Sequence, residues 1–140
     1  MRFLLDTMLG HLLTWLRLLG YDTIYIKNLS DDELLETAKN EGRILITRDR
    51  DLAQKSLKQK VETVLIDSTD VVESLMKIRA ETRISLVFDT DRSRCPDCNT
   101  PLEKLSTNPL RWRCVNCGKD YWRGRHWRNI SKTLDKLNQM

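Results

Sequence analysis

The stretch Arg43–Asp51, RILITRDRD, is a short apolar run closed by two carboxylates two residues apart, Asp49 and Asp51. Arg43–Thr47 has the length and β-branched content of a strand. Asp49 is a competent helix cap, with a short helix expected from about Arg50 to Leu57. A strand feeding directly into a helix points to α/β architecture, and the flanking sequence repeats the unit. Arg2–Leu5 is a buried-strand pattern. Thr7 can cap a helix with apolar positions at Met8, Leu9, Leu12, Leu13, Leu16 and Leu19, and Gly20 suits its end. Thr23–Ile26 is the next strand. Ser30 and Glu33 form an S-x-x-E capping box before a helix carrying Leu34, Leu35 and Ala38, which stops near Gly42. Glu62–Ile66 is a fourth strand and Val71 to about Glu81 a fourth helix. Ile84–Phe88 fits either an added edge strand or a link to the next domain. Four strand–helix alternations with connections too long for hairpins predict a mostly parallel sheet flanked by helices.

The carboxyl ends of parallel strands are where sites form in such sheets. Here they are acidic: Asp6 follows strand 1, Asp31 and Asp32 the loop after strand 2, Asp49 and Asp51 strand 3, and Asp67 strand 4. Taken singly, Asp49 and Asp31 are adequately explained as cap and first-turn residues. Gathered at one edge they would repel one another unless a divalent cation neutralised them, and Mg²⁺ or Mn²⁺ suits oxygen ligands of this kind. No glycine-rich phosphate loop follows any strand, so no nucleotide cofactor is expected.

Beyond residue 89 the texture changes. Residues 1–89 carry 13 Lys/Arg against 15 Asp/Glu, whereas residues 90–140 carry 11 against 5, together with all four Cys and all three Pro. An α/β domain over 1–89 and a basic module over 90–140 are therefore expected, the latter suited to an anionic partner. Cys95-x2-Cys98 and Cys114-x2-Cys117, separated by fifteen residues, have the spacing of a four-cysteine structural zinc site. Iron could also occupy four thiolates, and disulfides are the bland alternative, disfavoured in a reducing cytoplasm. Asn99 and Gly118, which follow the second cysteine of each pair, tolerate the left-handed turn of a metal knuckle. Leu102–Arg113 should form ribbon strands. The segment KDYWRGRHWRN then interleaves Tyr121, Trp122 and Trp127 with Arg123, Arg125, His126 and Arg128. Arginine grips phosphate and aromatics stack on unpaired bases, although one aromatic is expected to pack the ribbon instead. The tail from about Ile130 to Leu137 looks helical. No apolar run is long enough to span a bilayer, and Asp6 interrupts the N-terminus where a secretory signal would be apolar. Both point to a cytoplasmic protein without membrane partners.

The pieces FLLDTMLGHLLTWLRLLGYDT, SDDELLETA, GRILITRDRDLA, RCPDCNTPL and CGKDYWRGRHW stand in an order that resembles the PIN-like ribonuclease family first described at the C-terminus of the Mut-seven exoribonuclease. The resemblance implies a PIN-like α/β domain fused to a zinc ribbon, and an Mg²⁺- or Mn²⁺-dependent endoribonuclease acting on RNA, with ribosomal or precursor RNA as candidate targets. It implies Asp6 as the acid after strand 1 and Asp49, in Thr47-Arg48-Asp49, as the acid of a T-x-D turn, with Asp51 beside it. Asp31 matches the helix acid better than Asp32, and Asp67 has no counterpart. Arg17 and Arg48 are candidates for steering the RNA backbone, with Trp122, Arg123, Arg125, His126 and Trp127 in the tail. The alternative from another class is a non-catalytic RNA- or ribosome-binding adaptor whose acids are only caps.

Overall fold

A computed structural model describes residues 1–107, 110–122 and 125–138. Strands β1 (Arg2–Leu5), β2 (Asp22–Tyr25), β3 (Ile44–Thr47) and β4 (Thr63–Leu65) form a four-stranded sheet in the order β2-β1-β3-β4, with every pairing parallel. Helices α1 (His11–Leu18), α2 (Asp31–Glu41), α3 (Arg50–Lys58) and α4 (Val71–Thr82) make the crossovers. The alternation along each strand divides the core into two layers. Phe3, Leu5, Ile44, Ile46 and Val64 face α1 and α4, whereas Leu4 and Leu45 face Leu34, Leu35 and Ala38 of α2 and Leu52 of α3. Burial on both faces accounts for the unbroken apolar strands.

The start of the first helix differs from expectation. Asp6, not Thr7, is the capping residue: its Oδ1 accepts the Thr7 N–H at 2.7 Å and opens a short 3-10 turn, Thr7–Leu9, ahead of α1. The tighter turn shifts the helical phase, leaving Met8 66% exposed while Leu9, Leu12, Leu16 and Leu19 are buried. Gly20 ends the segment at φ 100°, where a Cβ would sit 2.9 Å from the Arg92 carbonyl oxygen. The Ser30 cap of α2 forms as expected, and Gly42 is left-handed. Ile84–Phe88 is a link and not a strand. Ile84 and Leu86 turn into the first core layer, and the Tyr21 hydroxyl brackets Ser85 by donating to its carbonyl and accepting from its N–H, both at 2.8 Å.

The C-terminal module contains an antiparallel sheet of β5 (Glu103–Thr107), β6 (Leu110–Arg113) and β7 (Asp120–Trp122), followed by α5 (Arg125–Asn138). Trp112 is its buried centre, edge-on to Phe88. Helix α5 returns to the first core layer, placing Leu134 and Leu137 among Leu9, Leu12, Leu75 and Ile78. No helix among the described residues is long and apolar enough to cross a membrane.

Candidate functional site

Parallel pairing brings the carboxyl ends of all four strands to one edge, and the acids follow them. Asp6 and Asp49 are joined there through a single buried hydroxyl. Thr47 Oγ1 donates to Asp6 Oδ2 at 2.7 Å and accepts the Asp49 N–H at 3.0 Å. The Asp6 backbone is fixed as well, its N–H reaching the Ile46 carbonyl at 3.0 Å. Asp49 caps α3 with Oδ1, which accepts from Asp51 N–H at 2.9 Å and Leu52 N–H at 3.3 Å. Its Oδ2 takes no hydrogen bond among the described residues, so the cap leaves one oxygen of Asp49 facing outward.

Asp31 and Asp32 open α2 at the same edge, and the structure separates their roles. Asp32 Oδ1 pairs with Lys55 Nζ of α3 at 2.8 Å, and that bond holds the ammonium pKa above its ordinary value. Asp31 has no such partner among the described residues. Asp51 contributes its N–H to the Asp49 cap and leaves its own carboxylate exposed, as is Asp67. Among the described residues, however, no three of these carboxylates approach within 4.8 Å of one another. Asp6 and Asp49 are linked through Thr47, the first by its carboxylate and the second by its backbone N–H. Such a pair fits Mg²⁺, which keeps several waters and needs one or two carboxylates.

Arg48 is half-buried between Thr47 and Asp49, at the acidic edge. Arg17 is directed away from that edge, to the Thr23 and Pro96 carbonyls. Helix α1 runs back along the sheet: Tyr25 at the end of β2 meets Thr7, whereas Arg17 meets Thr23 near the start of β2. Arg17 therefore sits towards the amino edge, level with Phe3 and about 10 Å of strand from Asp6. It is 9% exposed and is turned into the interior of the protein. The side chains of Trp122, Arg125, His126 and Trp127, and the whole of Arg123, lie outside the described residues.

The second constellation is cysteine. The sulfurs of Cys95, Cys98, Cys114 and Cys117 all lie within 4.8 Å of one another, so the four could hold one metal ion. Two matching turns build the group. The Asn99 N–H bonds to the Cys95 carbonyl and the Gly118 N–H to the Cys114 carbonyl, each at 2.8 Å, with φ of 64° at Asn99 and 74° at Gly118. Backbone amides of Cys117 and Asn116 lower the Cys114 thiol to about 7 against the opposing effect of burial, whereas at Cys117 the Lys119 amide is outweighed by desolvation and the neighbouring Cys98 and Cys114 thiols, which raise it to about 12. Tyr121 places its hydroxyl 3.2 Å from Cys95 Sγ, so this aromatic supports the ribbon. The Asp97–Lys119 pair, at 2.6 Å, links the two turns across the surface. The donor set of four soft thiolates fits zinc, and its closed geometry leaves no position for a substrate.

The cluster around Asp22 at the amino edge carried no functional signal in the sequence. Asp22 accepts from Asn99 Nδ2 at 2.6 Å, Arg43 at 2.9 Å and Arg2 at 3.2 Å. Burial pushes its pKa upward, but these hydrogen bonds and the Arg43 charge outweigh that and hold it at about 2. Arg43 also pairs with Glu41 at 2.9 Å. The partners of Asp22 lie 20 to 77 positions from it, a separation that local patterning does not register.

With this geometry in view, comparison with known families gives one result. The family model described as Mut7-C RNAse domain matches residues 1–134, nearly the whole chain. No curated protein and no solved structure matched.

Proposed function

Because the chain belongs to the Mut7-C RNAse domain family, we propose that it is an Mg²⁺- or Mn²⁺-dependent endoribonuclease of PIN-like type, cleaving RNA at the acidic sheet edge. The observation that carries this reading is the Asp6–Thr47–Asp49 linkage, which ties the Asp6 carboxylate to the backbone N–H of Asp49 at the carboxyl edge of a parallel sheet. Asp6 and the outward oxygen of Asp49 would hold the ion, with Asp31 and Asp51 supplying further negative charge. When bound, the divalent ion would activate water and neutralise charge on the scissile phosphate. Thr47 holds the Asp6 carboxylate beside the backbone of Asp49. Lys55 engages Asp32 and so leaves Asp31 available. Arg48 would meet the RNA backbone, and the tail residues Trp122, Arg123, Arg125, His126 and Trp127 would hold the strand away from the acids by phosphate contacts and base stacking.

Zinc is the proposed occupant of the four cysteines, in a structural role. A reducing compartment such as the cytoplasm keeps those thiols competent to bind it. Residues 1–89 would carry the chemistry and 90–140 the substrate grip.

The test incubates the full chain with single-stranded RNA, structured RNA and single-stranded DNA, with Mn²⁺ or EDTA, beside D6N and D49N variants of unchanged zinc content. The variants matter because EDTA can also strip zinc. Mn²⁺-dependent RNA cleavage lost in both variants is the expected result. Cleavage that survives EDTA and both substitutions would overturn the metal-nuclease reading. RNA binding with no cleavage would favour the non-catalytic adaptor.

A further inference from the structure

We propose that Arg17 is the buried counter-charge of the four-cysteine metal centre, and that through Arg17 and Asn99 metal occupancy locks the end of α1 and the start of β2. Arg17 is costly to bury. Its guanidinium is withdrawn from solvent, yet among the described residues it forms no ion pair with a carboxylate. Its contacts are two backbone carbonyls: Nε donates to Thr23 at 2.9 Å and Nη1 to Pro96, inside the first cysteine turn, at 2.6 Å. Carbonyl dipoles alone compensate a buried cation poorly. A divalent ion on four thiolates leaves a net charge of −2, which is the compensation that Arg17 lacks in the carboxylate inventory. Burial lowers the guanidinium pKa. Among the charges opposing this, Cys95 and Cys98 come ahead of Asp22 and Asp97.

The attachment is geometric as well as electrostatic. Asn99 directly follows Cys98, and its left-handed backbone is set by the metal-binding turn. Its side chain accepts the Thr23 N–H at 3.1 Å and donates to Asp22 at 2.6 Å, so the turn grips the first two residues of β2. The Arg94 N–H bonds to the Arg17 carbonyl at 2.9 Å, and the Arg92 carbonyl closes on Gly20. Releasing the metal frees the turn that holds the Pro96 carbonyl against Arg17 and positions Asn99 on β2. Metal binding and order in Arg17–Tyr25 are therefore linked quantities. The linkage is independent of whatever reaction the acidic edge performs.

Hydrogen exchange on the full chain, zinc-loaded against zinc-stripped under reducing conditions, reads the linkage in the unaltered protein. Stripping is expected to raise exchange in Arg17–Tyr25 together with residues 95–117. Unchanged exchange in Arg17–Tyr25 would overturn the proposal. The charge is tested by R17M, which keeps much of the apolar stem, and by R17K, which restores a cation. Chelator competition should give R17M a zinc affinity about 10- to 100-fold weaker, with part of the loss recovered in R17K. A zinc affinity within about twofold of the parent in R17M would refute the counter-charge, because supporting partners of metal ligands ordinarily matter more than that.

Discussion

Replacing Thr47 by valine removes one hydroxyl and little else, because Thr47 is completely buried and valine nearly matches its shape. That hydroxyl donates to a carboxylate at 2.7 Å and accepts an amide at 3.0 Å. A hydrogen bond to a charged group contributes about 1.5–3 kcal/mol and a neutral one about 1 kcal/mol. Asp6 is only half-buried, so water can replace part of the first term. The β-branched valine suits a strand and recovers a few tenths of a kcal/mol more. A net destabilisation of about 1–3 kcal/mol should follow, read as a lower urea midpoint at unchanged slope. The same hydroxyl ties the Asp6 carboxylate to the Asp49 backbone, so under the proposed function Mn²⁺ affinity at the acidic edge should fall about 10- to 100-fold. T47S keeps both hydrogen bonds and should behave as the parent. A T47V variant with parental stability and parental Mn²⁺ affinity would refute the linkage. So would a T47S variant as impaired as T47V.

Two further outcomes test how the C-terminal module and the amino edge hold the fold. Leu137 is fully buried among the α1 and α4 side chains, so L137A should lower unfolding free energy by about 2–5 kcal/mol in urea. A loss below about 0.5 kcal/mol, the range of an ordinary surface change, would place α5 off the core. For Asp22 the folded pKa lies below the unfolded value of 3.8, so its stabilisation is fully present above about pH 4. It is lost as pH falls from about 4 towards 2. Thermal melts across that window should show a steeper acid-side decline in the parent than in D22N. Identical acid profiles would remove Asp22 as a contributor.

The elements are legible in the sequence because their signals are local. Ser30 with Glu33, Gly42 after Ala38, and the uninterrupted RFLL and RILIT runs each specify a helix end or a buried strand within a few residues. The two cysteine pairs are legible for the same reason, since each turn is built from adjacent residues and the metal-binding chemistry of thiolates is unambiguous. Asp6 is recognisable as the acid after strand 1 but not as a cap, because Asp6 and Thr7 are both good caps and the choice depends on a turn the period does not encode. Ile84–Phe88 is ambiguous in sequence, since alternating apolar residues fit a strand or a link packed beneath Tyr21 equally well. Helix α5 looks plain because its two deepest residues, Leu134 and Leu137, gain meaning from a core built by residues far earlier in the chain.

Arg17 and Asp49 mark the division between the two sources of information. Sequence alone determined that this chain alternates strand and helix, carries acids after its strands and has two cysteine pairs of metal-knuckle spacing, because each property follows from residue type and short spacing. Tertiary structure decided which groups share a space. Parallel crossovers sent Asp6 and Asp49 to one edge, where Thr47 joins them. They sent Arg17 to the other, where it binds a cysteine turn 79 residues away. The physical reason is that a helix returning across a sheet moves its last residue a full strand length from its first. The chemistry available to a charged side chain depends on which end it occupies.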